Sequence, residues 1–274
     1  MTCRSITFLM LVVALPRIAA ASSTTVPMQL LGNLPVITAQ IDGIDVPLVF
    51  DLPDETALAL AQTVIDHVKT SPAADTHRAL DAMGNVIQSA TFKLPRLQIG
   101  NAVFTDVIGR PDLHDPAYQS QNIGQQGYLG TALLKSYKIV LDYPHRKFTL
   151  ISPDSTKKQS GKCKGIPVPF LPDWNGTPVT KAVTDFGGLT AVWDTGAPVS
   201  ILRRANAQKL SDDVINEKAT TKRLVLGGTD FGPLTLDVAD YVEPAGTDMY
   251  IGYSFFVNHI VCVDFPGKRF LIQP

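Results

Sequence analysis

Short runs of β-branched, aromatic and other apolar residues, bounded by Gly, Asp or Pro, recur along most of the chain. Examples are residues 36–41, 48–50, 138–142 and 148–151. Runs of this length and composition are typical of β-strands, and Asp42-Gly43 is a hairpin-turn signal. Residues 56–68 have the apolar density of a helix, and residues 131–135 predict a short helical turn. The pattern therefore predicts an all-β protein with a few short helices.

The first 21 residues have the pattern of a secretory signal peptide. Arg4 precedes an apolar run over residues 6–15 that is too short to cross a bilayer, and Ala19-Ala20-Ala21 is a small-residue cleavage site. We therefore expect residues 1–21 to be removed and the mature chain to be secreted or periplasmic. An uncleaved anchor or a buried strand are the alternatives.

Composition narrows the class of protein further. Of the 274 residues, 45% are hydrophobic and 18% are charged, which suits a packed core and argues against disorder. The net charge of −1 gives no reason to expect a nucleic-acid partner. P-loop and zinc-site spacings are absent from the sequence, and we expect no membrane span after the leader is removed.

Cysteine and histidine give few candidates for chemistry. Loss of the leader leaves Cys163 and Cys262, which in an exported chain either form a disulfide or stay as two buried thiols. Without a companion histidine spacing they are a poor metal site, so no metal is predicted. The five histidines are scattered, and no catalytic role is assigned to them.

The second half of the chain repeats the first. Residues 35–51 correspond to residues 178–194, and residues 127–150 correspond to residues 249–272. The identical pairs in the second match include Gly130/Gly252, Asp142/Asp264, Pro144/Pro266 and Phe148/Phe270. Two matches in the same order favour duplication over chance. The second half is the shorter one, and it loses residues between its two matching stretches.

One motif in the second half carries candidate chemistry. Asp194-Thr195-Gly196-Ala197 follows an apolar strand and resembles the D-[TS]-G-A signature of the aspartic proteases, the pepsin and retropepsin group. Tyr128-Leu129-Gly130 and Tyr250-Ile251-Gly252 are similar to that family's hydrophobic-hydrophobic-Gly element. We refer to them as the closing motifs.

The resemblance implies an architecture. It implies two retropepsin-like β-barrel lobes that form a pepsin-like pseudo-dimer within one chain. The first lobe is expected over residues 28–152, the second over residues 163–274, and residues 153–162 form the linker between them. A monomer is expected rather than a homodimer of second lobes, because the first lobe already occupies that face.

The resemblance also implies a chemistry that needs two carboxylates and no cofactor. Two like charges held close together cannot both ionise, so the pair shares one proton. One carboxylate accepts a proton from the attacking water, and the other donates a proton to the carbonyl oxygen of the peptide substrate. On this template Asp194 and Asp51 are the catalytic pair. Thr195 is the bridge between the lobes, and Gly196 is a backbone position of close approach.

The first half departs from the family pattern after its aspartate. The repeat places Asp51 opposite Asp194, but Leu52-Pro53 stands where Thr195-Gly196 would. Leucine has no hydroxyl to bridge the lobes, and proline has no N–H to donate to a carboxylate. Asp51 is therefore either a working partner or a vestige. A second register would align residues 54–57 with the motif, but it needs an insertion in the strand, so we prefer Asp51.

A flap over the cleft is the remaining expected part. Residues 82–87, followed by residues 92–100, predict a hairpin whose tip, Met83, Gly84 and Asn85, would cover a bound substrate. A plain surface turn is the alternative for the Gly-Asn pair. Two functions stay open at this stage. One is an exported aspartic endopeptidase acting on peptides or proteins, and the other is an inactive peptide-binding pseudo-protease of the same fold.

Overall fold

The computed structural model describes residues 23–80, 86–112, 126–155, 161–172, 176–207, 214–215, 217–240 and 246–274. The predicted signal peptide, residues 1–21, lies outside the described residues. So does the predicted flap tip of Met83, Gly84 and Asn85.

The described chain consists mainly of β-strands. The strands of the first half are β1 (Ser23–Pro27), β2 (Gln29–Leu31), β3 (Leu34–Ile41), β4 (Ile44–Phe50), β5 (Leu58–Leu60), β6 (Ser71–Leu80), β7 (Val86–Ile99), β8 (Ala102–Pro111), β9 (Gly127–Leu129), β10 (Lys138–Asp142) and β11 (Lys147–Ile151). Those of the second half are β12 (Ile166–Pro169), β13 (Leu171–Pro172), β14 (Pro178–Thr184), β15 (Gly187–Trp193), β16 (Ser200–Arg203), β17 (Val214–Ile215), β18 (Lys218–Thr221), β19 (Leu224–Leu226), β20 (Thr229–Asp230), β21 (Leu234–Ala239), β22 (Met249–Ile251), β23 (Ile260–Asp264) and β24 (Arg269–Gln273). The short helices are α1 (Gln62–Ile65), α2 (Arg204–Ala207) and α3 (Tyr253–Phe256).

Three sheets make up the structure, one in each lobe and a third that is shared by the two halves. The first lobe is a sheet in the order β2-β3-β4-β9-β5-β8-β7-β6. The second lobe is a sheet in the order β17-β18-β21-β16-β22-β15-β14-β19-β20, with β13 paired to β14. A third sheet, β1-β11-β10-β23-β24-β12, draws strands from both halves, and β10 and β23 pair across the boundary. The prediction of an all-β chain with two lobes is confirmed.

The duplication is visible in the strand pairing. In the first lobe β4 runs parallel to β9, with Phe50 opposite Leu129. In the second lobe β15 runs parallel to β22, with Trp193 opposite Ile251. Each closing motif therefore lies beside the strand that leads to its aspartate, so the two halves of the repeat have the same local pairing.

An aromatic pair fastens each aspartate-bearing strand to the shared sheet. Phe50 packs edge-on against Phe148 with ring centroids 5.2 Å apart, and Trp193 stacks on Phe270 at 4.0 Å. All four side chains are fully buried. Pairs of this kind add about 0.5–1.5 kcal/mol beyond the area they bury. The same two positions of the repeat thus anchor the ends of β4 and β15.

The helix predicted over residues 56–68 is mostly wrong. Only α1 is helical, and the apolar residues of β5 instead form a strand. β5 lies between β8 and β9, where its three side chains are buried and its backbone groups find partners on both sides. Tertiary pairing therefore overrides the helical propensity of a short Leu- and Ala-rich run. Residues 131–135 form hydrogen-bonded turns.

A disulfide ties the start of the second half to the shared sheet. Cys163 and Cys262 are bonded, with Cα atoms 5.4 Å apart, and Cys262 lies on β23. The structure thus favours the disulfide over two free thiols. The predicted linker, residues 153–162, lies between β11 and β12. Within the described ranges no helix has the length and apolar character needed to cross a membrane.

Candidate active site

The two candidate aspartates occupy equivalent positions at the ends of equivalent strands. The backbone N–H of Asp51 donates to the carbonyl of Leu129 at 3.0 Å, and that of Asp194 donates to the carbonyl of Ile251 at 3.0 Å. Each aspartate is therefore fixed to the closing motif of its own lobe by the same hydrogen bond.

Gly196 lies directly against both carboxylates. A Cβ placed on this glycine would be 2.8 Å from Oδ1 of Asp51 and 3.2 Å from Oδ1 of Asp194. The two oxygens are consequently no more than about 6 Å apart, the range over which one carboxylate shifts the pKa of another. The approach also explains why this position needs glycine, since any side chain would collide with the pair.

Burial and charge together give Asp51 an unusual protonation state. Removal from water raises the pKa of its carboxyl well above the ordinary value, and the charges of Asp194 and then Asp54 push it in the same direction. The backbone N–H of Gly196 and the guanidinium of Arg110 act in the opposite direction. The upward influences dominate, so the Asp51 carboxyl keeps its proton to higher pH than an ordinary aspartate does.

Thr195 joins the two lobes beneath the carboxylates. Its hydroxyl donates to the carbonyl of Phe50 at 2.7 Å and accepts from the N–H of Leu52 at 2.8 Å. The threonine is 1% exposed. The predicted bridge is therefore present from the second lobe, but Leu52 returns no hydroxyl to complete it from the first.

The first-lobe turn, Leu52-Pro53, is bonded to the second lobe although it lacks the Thr-Gly pair. Pro53 offers no N–H, yet its carbonyl accepts a bond from the Thr177 hydroxyl at 3.2 Å, which adds a second link between the lobes. The alternative register would place Asp54 opposite Asp194. The carboxylate of Asp54 instead accepts the N–H of Thr56 at 2.8 Å and faces Arg110. The structure thus places Asp51, and not Asp54, opposite Asp194.

Comparison with solved structures identifies the architecture. An aspartic proteinase from Irpex lacteus matches with a TM-score of 0.62 and 13% identity, over 92% of this chain and 97% of the other. Basic 7S globulin from soybean matches with a TM-score of 0.60 and 13% identity, over 92% of this chain and 95% of the other. The chain has the pepsin-like fold.

That likeness extends to the fold alone. No protein-family model matches the sequence, and no curated protein matches it. Of the two pepsin-like neighbours, one is named a proteinase and the other a globulin. The activity of this pepsin-like chain must therefore be argued from its own residues.

Two groups near the pair were missed by sequence analysis. Arg110, at the end of β8, is 8% exposed, and Tyr143, just after β10, is 2% exposed. Burial raises the pKa of the Tyr143 hydroxyl well above its ordinary value, and the charges of Asp194 and Asp51 add to this. Tyr143 corresponds to Phe265 in the repeat, and this added hydroxyl is a weak sequence signal for Tyr143. Nothing in the sequence around Arg110 marks it as buried.

The described residues contain no group of three or more His, Cys, Asp or Glu side chains that could hold a metal ion. The polar groups brought together are two facing carboxylates, a bridging hydroxyl and a close glycine backbone. This arrangement can hold one proton between two acids and orient a water molecule for attack on a polarised carbonyl.

Proposed function

We propose that this chain is an exported aspartic endopeptidase that hydrolyses peptide bonds with Asp51 and Asp194. The observation that carries the proposal is the approach of both carboxylates to Gly196, 2.8 and 3.2 Å from the position of its absent Cβ. The pepsin-like fold supports it, and the bonds of Thr195 to Phe50 and Leu52 join the two lobes next to this pair.

The raised pKa of Asp51 is the basis on which we assign the two roles. Asp51, whose pKa is raised by burial and by Asp194, is the protonated partner and donates to the substrate carbonyl oxygen. Asp194 is the ionised partner and accepts a proton from the attacking water. The tetrahedral intermediate then collapses when Asp194 gives that proton to the leaving nitrogen, the C–N bond breaks, and a hydroxyl proton of the intermediate returns to Asp51. No covalent enzyme intermediate forms, so no nucleophilic serine or cysteine is needed.

Export is supported by the disulfide. Disulfides persist in secreted and periplasmic proteins and are rare in the cytosol, and the Cys163–Cys262 bond joins residues 99 apart in sequence. We propose a monomer, since both aspartates come from one chain. Fractionation of a producing cell, followed by N-terminal sequencing of the mature protein, tests the location and the removal of residues 1–21.

The decisive experiment compares Asp51→Asn and Asp194→Asn with wild type on a peptide library between about pH 3 and about pH 8. Either substitution should lower kcat/KM by at least about 1,000-fold, because each removes one of two groups that act as a unit. Asp106→Asn is the matched control. Its carboxylate is 68% exposed on the same lobe, and its backbone has φ of 56°, which asparagine tolerates.

The Leu52-Pro53 turn favours one competing function. A pepsin-like chain that had lost chemistry would still bind an extended peptide in its cleft. In that case the wild-type protein would bind library peptides without cleaving them, and Asp194→Asn would leave their affinity unchanged. A wild-type protein that neither cleaves nor binds any peptide would refute both functions.

A further inference from the structure

The two turns that follow the aspartates are held in different ways. In the second lobe, Thr195 supplies a hydroxyl bridge and Gly196 supplies an N–H toward Asp51. In the first lobe, Leu52 and Pro53 supply neither group. The Thr195 hydroxyl accepts from the Leu52 N–H and the Thr177 hydroxyl donates to the Pro53 carbonyl, so the first-lobe turn is held from the second lobe as far as Pro53. Contacts within the first lobe hold the next residue, Asp54.

The backbone of Asp54 makes the contact that Ala197 makes in the second lobe. The carbonyl of Asp54 accepts from the N–H of Thr131 at 2.8 Å, and that of Ala197 accepts from the N–H of Tyr253 at 3.1 Å. These residues correspond in the repeat. In the first lobe the Thr131 hydroxyl adds a further bond to the same carbonyl at 3.1 Å. What is new in the first lobe is therefore the carboxylate, which stands where the second lobe has a methyl group.

That carboxylate faces a buried cation. Nη2 of Arg110 lies 3.6 Å from Oδ2 of Asp54, and both side chains are 9% exposed. The corresponding strand position in the second lobe is Asp237, which faces Ile201 as Arg110 faces Ala59, and its side chain is 40% exposed. Burial of two charges is costly unless they are paired, and removal of one leaves the other uncompensated. Of these two equivalent positions, the one in the first lobe therefore carries a buried ion pair and the one in the second lobe does not.

We propose that Asp54 and Arg110 form a positioning unit that, together with the bonds from Thr195 and Thr177, holds the first-lobe turn and with it Asp51. The proposal rests on the proposed function, because it assigns residues that support one member of the catalytic pair. Both are positioning residues, since they act through Asp51.

The two charges act on Asp51 with opposite signs, which gives the unit a signature. Asp54 raises the pKa of Asp51 and Arg110 lowers it. The other groups that face Asp51 are Asp194 and the Tyr143 hydroxyl. His77 on β6 lies close enough to Arg110, Asp54 and Glu55 for their charges to act on its imidazole.

The test is the pH profile of kcat/KM for Asp54→Asn, Arg110→Gln and the double variant. Activity on the basic side is lost as Asp51 gives up its proton. Arg110→Gln should therefore move this limb to higher pH, and Asp54→Asn should move it to lower pH, each by about 1 pH unit. The double variant should return near the wild-type midpoint. Both single variants should lower kcat by about 10- to 100-fold with little change in KM, because Asp51 is displaced.

Two further variants separate position from folding. Arg110→Lys restores the charge and should bring the basic limb back to the wild-type pH, so the comparison with Arg110→Gln decides the matter even if Asp54→Asn does not fold. Lys93→Gln and Asp106→Asn break an exposed ion pair on β7 and β8 and should leave the profile unchanged. Shifts in the same direction, or lower activity with no shift, would overturn the proposal.

Titration of 13C-labelled Asp carboxyl groups by NMR provides a readout without turnover. A wild-type protein that cleaves nothing would refute the proposed function, while opposite shifts of the Asp51 titration in the two variants would still support the positioning unit. Cleavage by wild type without opposite shifts would refute the unit and leave the function standing.

Discussion

The Thr195 bridge allows a sharp test of how the lobes are joined. Replacing this threonine by valine keeps its shape and removes the hydroxyl, which leaves the Leu52 N–H and the Phe50 carbonyl without their partner. Phe50 and Leu52 are both fully buried, so these two backbone groups are shielded from water. An unsatisfied buried polar group costs about 1–3 kcal/mol, so the two together should lower the free energy of unfolding by about 2–6 kcal/mol.

Serine at the same position is the matched control. Thr195→Ser keeps the hydroxyl and loses one methyl group, which should cost only about 1 kcal/mol. Urea unfolding followed by tryptophan fluorescence measures both values, since Trp193 is two residues from Thr195 and fully buried. Hydrogen exchange at the Leu52 amide should accelerate in the valine variant and stay slow in the serine variant. A valine variant within about 0.5 kcal/mol of the serine variant would show that the bridge does not hold the lobes together.

Three other variants test separate features. Cys163→Ser with Cys262→Ser should lower the free energy of unfolding by about 2–5 kcal/mol, because the bond closes a long loop, and reduction of the wild type should match it in a denaturant titration. Asp51→Asn should stabilise the fold at neutral pH. Since the folded-state pKa of Asp51 is raised, wild-type stability is greatest below about pH 3.8 and falls as the pH rises through the folded-state value. Urea midpoints of the two proteins should therefore converge at acid pH, and a gap that widens there would contradict the assignment. Gly196→Ala should abolish cleavage while the protein stays folded by circular dichroism, since its Cβ would lie 2.8 Å from Oδ1 of Asp51; full activity would show that the carboxylates are not held against this backbone.

The sequence predicted the architecture well because the duplication left local marks. Each half keeps an aspartate after an apolar strand and a closing motif further along the chain, and strand pairing brings the two together in both lobes. Alternation of buried and exposed residues along β14 also follows the period of a strand with one face in the core. The helix predicted over residues 56–68 was mostly wrong because β5 forms by pairing with β8 and β9, which are distant in sequence.

The first-lobe turn shows why the site was harder to predict than the fold. Leu52 and Pro53 are identifiable in the sequence as losses, because a hydroxyl and an N–H are missing from known places. The buried pair of Asp54 and Arg110 is not identifiable, since its members are more than fifty residues apart in sequence and meet only through the pairing of β5 with β8. A missing group can be noticed by comparing the two repeats. A compensating side chain on another strand, such as Arg110 on β8, is recognised only from the three-dimensional structure. Asp51 should therefore be judged by its surroundings in three dimensions and not by the two residues that follow it.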